Sequence, residues 1–139
     1  MNNNESKLKH LELIQHVISR MGGNLFYLRG WSITLIGGVL AILSQSKNLD
    51  IFPVLFLLVV TIMFWVYDGY FLALERKYRD LYNKVRKLPE KDIDFSMDIR
   101  EFNDKKKNTL IFCMFSKTIW PFYILFISAG IYILVRGAF

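Results

Sequence analysis

Three stretches without a charged residue, residues 30–46, 51–67 and 118–135, each 17 or 18 residues long, dominate this 139-residue chain. At ~1.5 Å per residue each forms a helix of about 25 Å, which needs only a short extension to cross a ~30 Å hydrocarbon layer. Extensions are present: residues 25–28 with a snorkelling Arg29 for the first, residues 70–74 for the second, and residues from Leu110 onward for the third. One small soluble core would be swamped by three such helices. The expected class is therefore an all-α membrane protein with three transmembrane helices, an antiparallel cytosolic helical hairpin and a short extended segment. Its expected divisions are an amphipathic helix at 1–23, spans at 24–46, 51–74 and 110–135, an external hairpin at 47–50, a cytosolic extension and loop at 75–109, and an external tail at 136–139.

Charge sets the orientation. Lys7, Lys9, Arg20 and Arg29 precede the first span, and twelve of the eighteen Lys and Arg residues lie between the second and third. Only Lys47 and Arg136 fall on the opposite side. The positive-inside rule then puts the N-terminus and the long middle loop in the cytoplasm and the C-terminus outside, across an inner (plasma) membrane. A cleaved signal peptide is not expected, because about thirty residues precede the first apolar run and residues 44–46 make a poor cleavage site. The same bias explains the basic balance, so no nucleic-acid partner is expected.

The second span leads into a heptad-spaced apolar seam: Phe64, Tyr67, Phe71, Leu74, Tyr78, Leu81, Val85 and Leu88. Only the half from Leu74 onward is diagnostic, since there the intervening residues are charged. Leu11, Ile14 and Ile18 form a similar stripe before the membrane, and Gly22-Gly23-Asn24 is expected to break or bend that helix. A tight turn between spans one and two brings the two stripes together antiparallel. They pair within one subunit, or join identical helices about a symmetry axis. Pro89 ends the long helix. Residues 92–100 then alternate polar and apolar, which predicts a short strand or an extended segment laid on an apolar surface. Asp92, Asp94, Ser96 and Asp98 imitate a calcium loop, but Met97 and Asn103 occupy the places of its Gly and its Glu, so no metal is expected. The Lys105-Lys106-Lys107 run reads as a juxtamembrane cluster for lipid headgroups.

Charges near the bilayer are the candidate site. Asp68, Lys117 and Arg29 all sit at the cytoplasmic ends of their spans, either as interfacial anchors with Asp68 paired to one of the cations, or as a gate. Pro121 predicts a kink at the level of Lys117. Gly30, Thr34 and the Gly37-Gly38 pair give span one a small-residue face, and residues 128–130 give span three a shorter one. His10 and His16 are badly spaced to share a metal, Cys113 is the single cysteine, and no catalytic constellation or cofactor motif is present. Neither enzymatic activity nor a cofactor is expected.

Three spans are too few to enclose a pathway alone, so conduction requires a homo-oligomer. A pore lined by span two, with Thr61 its only polar residue before Asp68, would close by dewetting. Residues 8–15 (LKHLELIQ), 30–34 (GWSIT) and 115–120 (FSKTIW) resemble small bacterial membrane proteins of phage-defence loci. The layout is also similar to compact multi-span effectors of nucleotide-signalling systems such as CBASS and Hailong. That resemblance implies an oligomeric effector that permeabilises or depolarises the membrane when a cytosolic protein or nucleotide signal arrives. A nucleotide phosphate would meet Arg76, Arg79, Lys84 and Arg86. The alternative is a non-conducting anchor or regulatory subunit that recruits a soluble partner.

Overall fold

The computed structural model describes residues 3–46 and 50–138, with side chains described over 5–46 and 50–136. Lys47 and most of the expected external hairpin lie outside these residues, as does Phe139 at the end of the tail. Among the described residues every regular element is helical: α1 (Asn3–Gln45), α2 (Ile51–Lys87), α3 (Leu110–Met114) and α4 (Trp120–Ala138), with single 3₁₀ turns at Glu90–Asp92, Arg100–Phe102 and Lys106–Asn108. Both α1 and α2 are long and apolar enough to cross a membrane, whereas residues 120–136 form a shorter apolar helix.

The first two helices are continuous, about 65 Å and 55 Å long at ~1.5 Å per residue. Gly22-Gly23 does not break α1, contrary to the sequence expectation. A glycine costs a helix about 1 kcal/mol relative to alanine, and here the segments on both sides are held: Ile18 and Leu25 are buried, and Arg29 is bonded to α2. Pro53 falls in the first turn of α2, where its missing N–H is harmless. That helix stops at Lys87 because Leu88, preceding Pro89, is extended (φ −76°, ψ 142°).

Helices α1 and α2 run antiparallel, and their contacts fall into two apolar clusters. At one end Ile14 and Ile18 pack with Leu81, Val85, Ile93 and Phe102, flanked by Leu11, Tyr78 and Leu88. Nearer the α1–α2 connection, Ile36 and Leu40 pack with Val54, Leu57 and Ile133 of α4. Gly130 lets α4 approach closely, since a Cβ there would lie 3.0 Å from Leu58 Cδ2. By contrast, Gly30, Gly37 and Gly38 face open space, so among the described residues no helix packs on the small-residue face of α1.

Residues 93–99 form no strand. Phe95 adopts φ 54°, in the left-handed region that a bulky residue seldom enters, and this reverses the alternation at its centre. The polar residues on either side satisfy the backbone locally: the N–H groups of Ser96, Asp98 and Arg100 donate to Asp94 Oδ1 (3.0 Å), Ser96 Oγ (3.1 Å) and Asp98 Oδ1 (2.9 Å). These bonds replace the ones a neighbouring strand would supply. Ile93, Met97 and Ile99 turn into the first cluster, while Phe95 stays 47% exposed with its ring edge-on to His10.

The third apolar stretch is broken as well as bent. Helix α3 ends at Met114, and the N–H groups of Ile119 and Trp120 both donate to the Ser116 carbonyl, at 2.9 and 3.2 Å. Pro121 is then the second residue of α4, a position whose N–H has no helical partner to lose. The expected kink is instead a clean restart, leaving α4 about 28 Å long.

Candidate functional site

Between the two clusters, near mid-length of the antiparallel pair, a charged residue is fully enclosed. Asp68 on α2 is 0% exposed. Arg29 of α1 meets it with two prongs, Nε to Oδ2 at 2.9 Å and Nη2 to Oδ1 at 3.3 Å, while keeping about a third of its own side chain exposed (32%). Such two-point geometry is particular to guanidinium and carboxylate. Three buried hydroxyls, on α1, α2 and α4, each spend their proton on a backbone carbonyl. Ser32 Oγ donates to Leu28 (2.7 Å), Thr61 Oγ1 to Leu57 (2.8 Å), and Tyr123 Oη, from α4, to Phe64 (3.3 Å).

Beside Asp68, α3 comes close to α2. A Cβ on Gly69 would collide with the Met114 side chain and come within 3.2 Å of the Met114 nitrogen, so only glycine admits α3 here. Trp65 Nε1 donates to the Met114 carbonyl at 2.9 Å, and its ring stacks on Tyr123 and meets Phe115 edge-on. The ion pair, the glycine notch and this aromatic group together tie all four helices at one level.

Of the three charges singled out from sequence, the structure joins Arg29 and Asp68. Lys117 points outward from the turn between α3 and α4 and has no hydrogen bond or ion pair among the described residues. The seam residues Tyr78, Leu81, Val85 and Leu88 share one cluster with Leu11, Ile14 and Ile18, while Leu74 is half-buried outside it. Tyr67, in the membrane half of the seam, is 51% exposed.

The four cations suggested for phosphate fan around α2 rather than converge. Arg76 Nη1 donates to the Lys107 carbonyl (2.8 Å) and lies over the Phe112 ring, Arg79 pairs with Glu75, and Lys84 pairs with Glu101. Arg86 is exposed, and its carbonyl receives Lys7 Nζ at 3.3 Å.

Two members of the lysine run also have a partner within the chain. Asp80, 9% exposed, draws in Lys107 (2.6 Å), Lys105 (3.2 Å) and the amide of Asn108 (2.9 Å), and Asn108 bonds onward to the Phe102 carbonyl. Burial alone would raise the Asp80 pKa, but the bonds from Lys107, Asn108 and Lys105 outweigh it and hold the carboxyl below the usual range. Only Lys106 of the three faces away. In sequence, the one sign of this clasp is an acid set among the Arg and Lys residues of α2. Asp98, gripped by Arg100, is lowered further, to about 2.

No three His, Cys, Asp or Glu side chains converge as metal ligands among the described residues. Chemically, the site is a saturated ion pair inside a helix junction, suited to fixing helix positions. Comparison of the chain with protein-family models, curated proteins and solved structures gives no match.

Proposed function

We propose that this chain is a three-span inner-membrane protein that assembles with copies of itself into a channel or membrane-disrupting effector, gated from the cytoplasm. In this reading α1, α2 and α4 cross the bilayer with the N-terminus inside, and the Leu81–Val85 cluster lies in the cytosol. The observation that carries it is the enclosed Arg29–Asp68 pair, set where two long apolar helices turn from uncharged to charged. An ion pair in such a place is either an interfacial anchor or part of a gate, and in this reading it is part of the gate. The resemblance to phage-defence effectors agrees with this arrangement and supplies the physiological setting, depolarisation of an infected cell.

Ion flux through liposomes containing the purified protein tests the proposal. Flux that Asp68→Asn alters is the expected result. No flux in any oligomeric state, with or without a cytosolic extract, overturns it. One observation favours the second reading, an anchor that recruits a soluble partner: Leu8, Leu13 and Phe95 are 65%, 53% and 47% exposed at the charged end of the molecule. A soluble protein that co-purifies stoichiometrically, without flux, selects that reading.

A further inference from the structure

The third apolar stretch reads in sequence as one span, yet its first five residues form a separate helix lying on α2. Phe112 sits beneath Arg76, and Met114 fits the notch at Gly69. Helix α3, about 7.5 Å long at ~1.5 Å per residue, therefore runs beside the stretch of α2 that immediately follows Asp68. Its inner side is buried through Cys113, which is 0% exposed. Its outer side is apolar and open: Ile111 is 71%, Phe112 45% and Phe115 60% exposed. Two cations bracket it. Lys106 and Lys117 are exposed and have no side-chain partner among the described residues, in contrast to Lys105 and Lys107, which Asp80 turns inward.

We propose that α3 and the turn after it form an interfacial foot that binds the anionic headgroup layer of the cytoplasmic leaflet. Ile111, Phe112 and Phe115 enter the boundary between headgroups and acyl chains, as the apolar face of an interfacial helix does. Lys106 and Lys117 take the lipid phosphates. The complementarity is of charge and of depth: a short, open apolar face between two unpaired ammonium groups sits next to the end of an uncharged span. This inference rests on the three-span reading.

The test uses the full chain in phosphatidylcholine vesicles with or without about 30% phosphatidylglycerol, a fraction chosen to give an anionic surface. Spin labels are placed at Ile111→Cys, Phe115→Cys and, as a control, Phe56→Cys, which is 71% exposed on α2. Cys113 is fully buried and stays in place, and the unsubstituted chain reports its background labelling. The expected result is that all three labels are shielded from a water-soluble nickel quencher in the anionic vesicles. Lys106→Gln with Lys117→Gln should then lower the shielded-to-accessible ratio at 111 and 115 about fivefold per lysine, leaving position 56 unchanged. Labels at 111 and 115 that are open to nickel while position 56 is shielded overturn the foot. Shielding indifferent to both phosphatidylglycerol and the lysines overturns the anionic recognition. A nickel-accessible label at position 56 overturns the membrane reading itself.

Discussion

Asp68 is where one residue matters most. Removing one member of an enclosed ion pair strands the other, which typically costs about 3–5 kcal/mol. Because Arg29 retains some exposure, Asp68→Ala should sit toward the lower end, read as a loss of thermal stability in detergent micelles. Replacing both residues with leucine should recover much of it. Gly69→Ala makes a different point, since one methyl group must displace α3. Overpacking of this kind costs about 1–3 kcal/mol, and a trimmed partner, Met114→Ala, should relieve part of it. A lone acid after seventeen uncharged residues is visible in sequence. Its choice of Arg29 over Lys117 is not, because that depends on the chain breaking fully at residues 115–119, where Pro121 signals only a kink. Gly69 was equally silent, since a helical glycine shows its purpose only when the neighbour that needs the space is known.

At the scale of elements, the loop after α2 inverts the usual ranking of substitutions. Phe95 stands in the left-handed region, where an L side chain costs roughly 1–2 kcal/mol. Phe95→Gly should therefore be near neutral, the relieved strain offsetting the lost His10 contact, whereas Phe95→Val should be clearly worse despite its hydrophobicity. Chemical denaturation of the two variants checks this. The clasp on Asp80 gives a signed pH dependence. Its folded pKa is depressed, so its contribution is complete above the ordinary carboxylate value of 3.8 and is lost as pH falls through the lowered folded value. Unfolding followed from pH 6 downward should show an acid-side loss that Asp80→Asn abolishes. The exposed Asp98 should add little despite its lower pKa. Spacing by threes and fours revealed the helices, because apolar residues so spaced among charged ones share a face only when the chain is helical. Period-two alternation at residues 92–100 misled because it records which residues are apolar, whereas Asp94, Ser96 and Asp98 determine where the backbone bonds go.

For the whole molecule, the proposed three-span arrangement predicts which ends are reachable from each side. A cysteine at exposed Asp94 should react with an impermeant reagent only after cells are opened, and one at exposed Asp50 should react in intact cells. Labelling of both from the same side removes that topology. The apolar runs of α1 and α2 are legible because a helix long and apolar enough to cross a bilayer shows that length in its sequence. What covers each exposed apolar face is not legible, because lipid and a neighbouring helix select similar residues. One consequence of the helix pair remains. From Asp68, α2 extends about 25 Å back to Ile51 and about 28 Å forward to Lys87 at ~1.5 Å per residue. The pair with Arg29 thus stands close to the middle of a rigid beam, as a fulcrum with nearly equal arms. A rigid tilt of about 10° about that point would swing the two ends by about 5 Å in opposite directions, so a push at Lys87 would arrive at Ile51 reversed and only slightly reduced.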